Sequence, residues 1–310
     1  MEMYPLKFKP IYKQRIWGGQ KLREVFGKNL PPGQKIGESW ELVDLPNDKS
    51  IIANGELTGK TLNQAIKQYP KEITGDENFS LPFPLLIKLL DAQDVLSVQV
   101  HPDIQTCQRM GKGEPKTECW YIISAEPGAA IYKGLKTGVT KEQFADAIKT
   151  GNVDELVEKI QVQQGQCHFL PAGTIHAIGA GLLIAEIQMA SDTTYRVFDF
   201  NRVDNNGNPR QLHIQEAMES IHFDPSGDDL SVRTTGRLVD CEQFNVDKAE
   251  RASILSGKMK ILITLTGSGK IQKQDCPPTK FKAGDTLLIP AAYEGKMDLD
   301  DQTQYLTVTI

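Results

Sequence analysis

The sequence lacks the features that mark membrane, secreted and fibrous proteins. No stretch among its 310 residues reaches 18 consecutive apolar positions, and the N-terminal segment contains no apolar signal region. The five cysteines, at positions 107, 119, 167, 241 and 276, are odd in number and form no CxxC pair. This pattern indicates neither a disulfide framework nor a cysteine zinc site. We therefore expect reduced thiols, no membrane association and a cytoplasmic location.

Strongly basic segments are also missing. Lysine and arginine total 35 against 40 aspartates and glutamates, which gives a formal net charge of -5. We therefore expect no nucleic-acid partner, although this charge balance is compatible with a local phosphate pocket. Hydrophobic residues make up 39% and charged residues 24%, a composition typical of a folded protein that is long enough for two modest domains.

Helix patterns are few and short. Capping-box patterns at Thr61 and Thr140 predict two helices that end at Pro70 and Gly151. Two further helices are predicted over residues 152–160, with Asn152 as the cap, and over residues 213–221.

Short runs of β-branched and aromatic residues dominate the rest of the sequence and predict a mainly β fold. These runs lie at residues 95–100, 118–123, 182–188, 193–198, 253–255, 260–266 and 286–289. No helix pattern follows residue 225, so we expect a domain of residues 1–228 with some helices and an all-β domain of residues 229–310.

A weak internal repeat supports two related β-barrel modules. Residues 165–171 and 284–290 both place an apolar strand between a glycine and a proline six positions later, as at a barrel corner. His176 follows the first copy, whereas Gly295 occupies the same position after the second. We expect chemistry in the first module only.

The segment around residue 100 contains the first candidate ligands. Ser97, Gln99 and His101 alternate along a predicted strand and therefore face one side, while Val98 and Val100 face the other. A solvated outer face would show the same alternation. Pro102 ends the strand, which places His101 at its tip.

Two residues from other segments complete a possible metal site. Glu118 begins a predicted strand, and His176 lies between a proline turn and a glycine-rich turn. If these strands are neighbours, Gln99, His101, Glu118 and His176 form an oxygen and nitrogen donor set that suits zinc. His168 is predicted to be a barrel residue, and His213 and His222 to be surface or helix-capping groups.

At these residues the sequence resembles the type I phosphomannose isomerases, which are zinc-dependent enzymes of the cupin superfamily, and it is most similar to their short bacterial form. The motifs that it shares with them are RIWGG (15–19), GESWELVD (37–44), PLLIKLLDAQDVLSVQVHPD (84–103), KTECWYI (116–122), FLPAGTIHAIGAGLLIAEIQ (169–188) and SDTTYRVFDFNR (191–202). The resemblance implies two cupin-like jelly-roll modules, with the zinc site in the catalytic domain and no metal ligands in the C-terminal one. It also implies interconversion of mannose 6-phosphate and fructose 6-phosphate through an enediol.

The resemblance further implies individual roles. The ligands of one Zn²⁺ ion per chain would be Gln99, His101, Glu118 and His176. The catalytic residues would be Arg196, Lys88, Lys116 and Glu186. Contacts to a sugar phosphate would come from Trp17, Glu38, Ser97, Lys88, Lys116 and Arg196, with Trp40 in the pocket wall.

Several alternatives stay open at this point. The general base could be Glu186, Lys88, Lys116 or a hydroxide on the metal. Competing functions are an isomerase of another phosphorylated or free aldose, a cupin metal oxygenase and a non-catalytic sugar-phosphate sensor. Oligomeric state, metabolic direction and the role of the C-terminal module have no sequence signal.

Two motifs have simpler interpretations. TGSGK, at residues 266–270, lacks the flanking residues of a phosphate-binding loop and is predicted to be a hairpin turn. NRVDNNGNPR, at residues 201–210, lacks the spacing and closing Glu of a calcium loop and is predicted to be a solvated loop.

Overall fold

The computed structural model describes residues 1–203, 207–224, 231–251, 253–274 and 276–310. Within these ranges the chain is mainly β, as predicted, and its strands form four sheets. The helices are α1 (Lys21–Phe26), α2 (Leu62–Gln68), α3 (Pro70–Thr74), α4 (Ile104–Met110), α5 (Lys141–Thr150), α6 (Ile214–Ser220) and one 3₁₀ helix (Val153–Leu156).

The strands are short and run through the whole chain. Those up to residue 203 are β1 (Leu6–Lys9), β2 (Ile11–Gly19), β3 (Ile36–Leu42), β4 (Ile51–Ile52), β5 (Leu85–Ala92), β6 (Val98–Val100), β7 (Glu118–Ala125), β8 (Ala130–Leu135), β9 (Val157–Gln161), β10 (Cys167–Leu170), β11 (His176–Ile178), β12 (Leu182–Met189) and β13 (Tyr195–Phe198). The later ones are β14 (Val232–Arg233), β15 (Gly236–Asp240), β16 (Asn245–Ala249), β17 (Ile254–Leu255), β18 (Lys260–Thr266), β19 (Ser268–Gln272), β20 (Thr279–Lys282), β21 (Thr286–Ile289), β22 (Gly295–Leu299) and β23 (Gln304–Thr309).

Two sheets form the first module. A seven-stranded sheet has the order β14-β10-β7-β12-β5-β3-β2, and a five-stranded sheet has the order β13-β6-β11-β8-β9. Leu90 and Trp120 of the larger sheet and Ile178 of the smaller one belong to one buried apolar cluster. The two sheets therefore enclose a core, as a jelly-roll module requires.

The second module repeats this arrangement with a seven-stranded sheet, β15-β16-β23-β18-β21-β1-β4, and a four-stranded sheet, β17-β22-β19-β20. Leu262, Phe281 and Met297 are part of its internal cluster. The N-terminal strands β1 and β4 complete its larger sheet, whereas β14 joins the first module. The predicted division between residues 228 and 229 falls outside the described residues and stays a prediction.

Strand β5 shows why so long an apolar run occurs beside the site. Leu85, Ile87 and Leu89 belong to the large core between the two modules, which also contains Leu288 of β21. Intervening positions face the interior of the first module, where Lys88 is buried. Because both faces of this sheet are covered, β5 is apolar at nearly every position.

The predicted helix caps are confirmed. Thr61 and Thr140 each accept a hydrogen bond through the side chain from the backbone N–H of the third helical residue, and the side-chain oxygen of the glutamine there accepts one from the backbone N–H of the threonine. Gly151, with φ of 78°, ends α5 in the left-handed region that glycine adopts without strain. Pro70 follows α2 and begins α3 at its first position. The helix predicted over residues 213–221 is α6.

The helix predicted over residues 152–160 is wrong. Only Val153–Leu156 is helical, as a 3₁₀ turn, and Val157–Gln161 forms strand β9. Lys159 is the cross-strand partner of Tyr132 in β8. Pairing with β8 satisfies the backbone of this segment, and that long-range gain outweighs a weak local helix preference.

The two simpler motifs lie in turns or loops. Residues 266–270 form a tight turn at Gly267, whose φ is 72°, but β18 and β19 belong to different sheets, so the turn is not the predicted hairpin. Residues 204–206 of the loop at 201–210 lie outside the described residues. None of the helices in the described part of the chain has the length and apolar composition needed to span a membrane.

Candidate active site

A cavity of about 600 Å³ opens in the first module between its two sheets. Its walls are formed by the strands that contain the predicted site residues. These strands are neighbours in the sheets, so residues that are far apart in the sequence lie close together. The predicted residues that line it are Trp17, Glu38, Lys88, Ser97, Gln99, Lys116, Glu186 and Arg196.

Three further predicted residues form a compact buried cluster that Gln99 and Lys116 connect to the cavity. One candidate ligand atom from each of His101, Glu118 and His176 lies within 4.8 Å of the other two. Glu118 begins β7 and His176 begins β11, while His101 directly follows β6. The cluster could therefore hold a metal ion between the two sheets of the first module.

Backbone carbonyl groups fix both imidazole rings. His101 Nδ1 lies 2.8 Å from the carbonyl oxygen of Thr193, and His176 Nδ1 lies 2.9 Å from that of Thr174. A carbonyl oxygen only accepts hydrogen bonds, so each Nδ1 holds the proton and each Nε2 keeps its lone pair. The two Nε2 atoms lie 3.4 and 3.5 Å from the oxygens of Glu118. This is how proteins orient histidines that bind metals.

The charge states of the cluster also suit a cation. Burial, helped by the positive charge of Lys116, lowers the pKa of His101 to about 3, so the ring is neutral near pH 7. Burial acts to raise the pKa of Glu118, but the positive charge of Lys116 and the interaction with His101 outweigh it and hold this pKa well below its ordinary value. His101 Nε2 and Glu118 Oε1 are buried without a hydrogen-bond partner. Two neutral nitrogens and a carboxylate are a fitting donor set for zinc.

Gln99 links this cluster to the cavity. Its Nε2 lies 3.4 Å from His176 Nε2, and its Oε1 accepts a hydrogen bond of 3.2 Å from Ser97 Oγ. A half-turn of the terminal amide exchanges these atoms, presenting the oxygen to His176 and an N–H to Ser97. The predicted fourth ligand is thus within reach of the cluster.

Lys116 connects the same cluster to the cavity from another side. Its Nζ lies 2.8 Å from Glu118 Oε2, and both side chains are buried. A cation here stabilises the ionised carboxylate and adds positive charge to the cavity wall.

A transverse row of side chains forms another wall. In the register of the larger sheet, Trp40 is opposite Lys88, Lys88 opposite Glu186, and Glu186 opposite Trp120. Lys88 Nζ donates to Glu186 Oε1 at 2.9 Å, and Trp120 Nε1 donates to Glu186 Oε2 at 3.2 Å. Both oxygens of Glu186 are therefore bound by side chains of adjacent strands.

Burial has different consequences for the two charged members of this row. It raises the pKa of Glu186 above its ordinary value, and the positive charge of Lys88 only partly opposes the shift. Burial acts to lower the pKa of Lys88, but the carboxylates of Glu186 and Glu38 outweigh it and raise this pKa. Lys88 is thus a permanent cation beside a carboxylate of raised basicity.

Glu38 lies between two donors at the cavity edge. Arg15 Nε donates to its Oε1 at 2.6 Å, and Trp40 Nε1 donates to its Oε2 at 2.6 Å. Trp40 itself is buried behind the wall and does not line the cavity, which corrects the expectation for it. Trp17 lines the cavity and is 3% exposed.

Arg196, the residue expected to be central to catalysis, projects from β13. Its Nε donates to Ser97 Oγ at 3.1 Å, and its Nη1 donates to the carbonyl oxygen of Gln211 at 2.8 Å. Ser97 therefore joins the arginine to Gln99. The backbone N–H of Arg196 lies 3.3 Å from Nδ1 of His213.

Sequence reasoning missed several residues of this cavity, including Arg15, Asp192, Thr194, Arg210 and His213. Arg15 lies in the RIWGG motif, so its position beside Trp17 was a usable signal. Arg210 was assigned only to a solvated loop. His213 occupies the N-cap position of α6, as expected, but makes no side-chain cap hydrogen bond there.

The two remaining histidines agree with their predictions. His168 is fully buried in β10 of the first module. His222 follows α6 at the surface, and its Nε2 lies 3.2 Å from Asp103 Oδ2.

Known proteins are similar to this chain in sequence and in fold. The family described as phosphomannose isomerase type I, catalytic domain, matches residues 5–117. The probable mannose-6-phosphate isomerase GmuF of Bacillus subtilis (strain 168) is 38% identical over 315 residues, with 98% of each chain covered. The mannose-6-phosphate isomerase of Streptococcus mutans serotype c is 37% identical over 300 residues, with 92% of each chain covered.

A solved structure agrees over the whole length. The mannose 6-phosphate isomerase from Bacillus subtilis superposes with a TM-score of 0.89 at 31% identity, covering 99% of this chain and 100% of that one. The shared fold includes the two modules described above. In sequence and in fold, this chain belongs to the type I phosphomannose isomerase family.

Proposed function

We propose that the protein interconverts mannose 6-phosphate and fructose 6-phosphate, with one zinc ion held by Gln99, His101, Glu118 and His176. The observation that carries this proposal is the buried donor cluster, which adjoins a cavity lined by several cationic side chains. The names of its relatives support the same substrate pair.

The donor set favours zinc among common metals. Two imidazoles, one carboxylate and one amide oxygen supply nitrogen and oxygen ligands with a single negative charge, and isomerisation requires no redox change. When bound, the ion would act as a Lewis acid of local charge about +1, which favours negative charge on substrate oxygens.

The residues of this chain would move the proton between C2 and C1 of the sugar. We assign the general base to Glu186, because its raised pKa brings it closer to neutrality while Lys88 stays protonated. Lys88 would donate to the developing enediol or hold Glu186 in place. Lys116 and Arg196 would add positive charge where the substrate gains negative charge.

The surrounding side chains would bind and orient the sugar. Trp17 offers an apolar wall, and Glu38 and Ser97 offer hydrogen-bonding groups to its hydroxyls. We assign this chemistry to residues 1–228 and propose that residues 229–310 contribute no metal ligand. The cytoplasmic location and the absence of nucleic-acid partners stay predictions.

The test is a coupled assay that follows fructose 6-phosphate formed from mannose 6-phosphate, before and after chelation and with zinc added back. We expect activity to disappear with the metal and to return with zinc. Lasting inactivity with zinc bound at one equivalent would refute the substrate assignment.

Variants separate the metal site from the rest of the fold. Glu118→Gln and His101→Ala should lose both zinc and activity, whereas Arg196→Ala should lose turnover and keep its zinc. Equal loss of zinc and activity in Arg196→Ala would make this arginine a structural residue. Arg237→Gln, which removes an exposed arginine on β15, is the matched control and should behave as the wild type.

A further inference from the structure

The cationic residues of the cavity divide into two groups by their partners. Three of them each have a carboxylate of their own, so their charge is balanced locally. These pairs are Arg15 with Glu38 at 2.6 Å, Lys88 with Glu186 at 2.9 Å, and Lys116 with Glu118 at 2.8 Å.

Arg196 belongs to the other group. Its guanidinium donates to a hydroxyl and a carbonyl oxygen, both uncharged, and it has no ion pair with a carboxylate of the described residues. Arg210 lines the same cavity as Arg196. Burial lowers the pKa of Arg196, and the positive charges of Arg210 and Arg202 lower it further, although the charge of Asp199 opposes them.

Arg210 and Arg202 share the counter-ion Asp199, and Arg202 Nη1 also lies 3.7 Å from Asp94 Oδ2. Asp199, which is 5% exposed, accepts hydrogen bonds from Arg202 Nη2 at 2.5 Å and from Arg210 Nε at 2.6 Å. Arg210 reaches the cavity lining while Asp199 holds its guanidinium. With Arg196 included, three guanidinium groups are balanced by two carboxylates, Asp199 and Asp94, which leaves a net charge of about +1 beside the cavity.

We propose that Arg210 binds the phosphate group of the substrate together with Arg196, and that Asp199 is the positioning residue that aims Arg210 into the cavity. The inference rests on the proposed function. A phosphate monoester has a charge of about -1.5 to -2 at pH 7, which is opposite in sign to the unbalanced charge of this arginine group. Arginine also presents paired N–H donors that match phosphate oxygens.

The arrangement would orient the sugar. A phosphate bound by Arg196 and Arg210 would lie at one wall of the cavity. From Arg196, hydrogen bonds lead through Ser97 to Gln99, which is one of the proposed metal ligands. The carbon that bears the phosphate would thus be anchored at the arginine group, leaving the other end of the sugar to the metal cluster and Glu186.

Arg210→Gln tests the proposal in the coupled assay and in calorimetric titration with inorganic phosphate. We expect KM for mannose 6-phosphate to rise about 10- to 100-fold with a smaller change in kcat, and phosphate binding to weaken by a similar factor. Arg210→Lys keeps the charge without the paired donors and should lose less. Values within twofold of wild type for both KM and phosphate binding would overturn the proposal.

Asp199→Asn tests the positioning role. We expect KM and phosphate affinity to change in the same direction as in Arg210→Gln, with zinc content unchanged. A loss of thermal stability with wild-type KM and phosphate affinity would show that Asp199 only supports the fold. Arg237→Gln is again the control for removal of an arginine.

The calorimetric arm separates this inference from the proposed function. If the wild type fails to isomerise mannose 6-phosphate, the proposed function fails, yet weaker phosphate binding in Arg210→Gln still supports the phosphate site. If the wild type is active and both variants match it, only the further inference fails.

Discussion

Lys88 Nζ donates a hydrogen bond of 2.9 Å to Glu186 Oε1 across two neighbouring strands, and each of these residues is only 5% exposed. The pair lies in the cavity wall between Trp40 and Trp120. Such a pair costs much to desolvate and costs more to break, because removal of one member leaves the other charge buried without compensation.

Lys88→Met should therefore destabilise the fold by about 3 to 5 kcal/mol at pH 7. The cost should shrink as the pH falls, since Glu186 becomes neutral when it takes up a proton. Urea unfolding at pH 7 and pH 5 measures both effects. In the Lys88→Met/Glu186→Gln double variant, the loss should be smaller than the sum of the single losses. Additive losses would show that the two residues act independently.

Gln99→Glu should keep the metal and slow the enzyme. A second carboxylate lowers the charge of the bound site and thus the capacity of the ion to stabilise negative substrate oxygens. We expect slower removal of zinc by a chelator and a kcat reduced by at least about 10-fold, or ~1.4 kcal/mol in the barrier. Gln161→Glu, on the exposed edge of β9, is the matched control. An unchanged kcat with zinc bound would argue against Gln99 as a ligand.

His168 should make stability depend on pH. Burial, with the nearby positive charge of Lys133, lowers the pKa of His168 to about 4, whereas an unfolded histidine titrates near 6.5. Between these two pKa values His168 is protonated in the unfolded chain and neutral in the folded chain. The free energy of unfolding therefore falls as the pH drops from 6.5 to 4. The slope due to this group is at most about 1.4 kcal/mol per pH unit.

Urea unfolding of wild type and His168→Leu at several pH values isolates this contribution. The difference in unfolding free energy between the two proteins should shift in favour of the variant as the pH falls through this window. A difference that is constant with pH would mean that His168 titrates normally in the folded protein.

Thr140→Ala should cost about 1 kcal/mol in the free energy of unfolding, because its side chain caps α5. The helix lies away from the cavity lining, so KM and kcat should not change. Thr137→Ala, an exposed position in the preceding turn, is the matched control and should stay within about 0.5 kcal/mol of wild type. Equal effects of the two substitutions would remove the cap as the cause.

Sequence patterns correctly predicted those structural elements that depend on residues close together in the chain. The capping boxes at Thr61 and Thr140 and the glycine at 151 fix helix ends through contacts within a few residues. The alternation of Ser97 and Gln99 with Val98 and Val100 likewise follows from strand geometry alone. The valines pack in the core, and the polar residues line the cavity.

Features that depend on contacts with other parts of the chain could not be predicted from local patterns. Strand β9 forms because β8 offers it an edge, and nothing within residues 157–161 indicates that partner. Arg210 reaches the cavity because Asp199 holds it, a relation that the spacing of the two residues does not reveal. The motifs shared with the family predicted the metal cluster, whereas only the structure shows that Arg196, Arg202 and Arg210 form a group.

The pairing of β1 with β21 has a consequence for how the protein is made. Lys7 and Asp285, which are 278 positions apart, form an ion pair of 2.9 Å where these strands meet. At about 5 to 20 residues per second, a ribosome needs roughly 15 to 55 seconds to synthesise the chain between them. For that time the edge of β1 that pairs with β21 is open to wrong partners. The other edge can pair early with β4, which follows β1 by about 45 residues. The lysines of β1 at positions 7 and 9 alternate with Leu6 and Phe8, and such charges discourage aggregation until the late strand arrives.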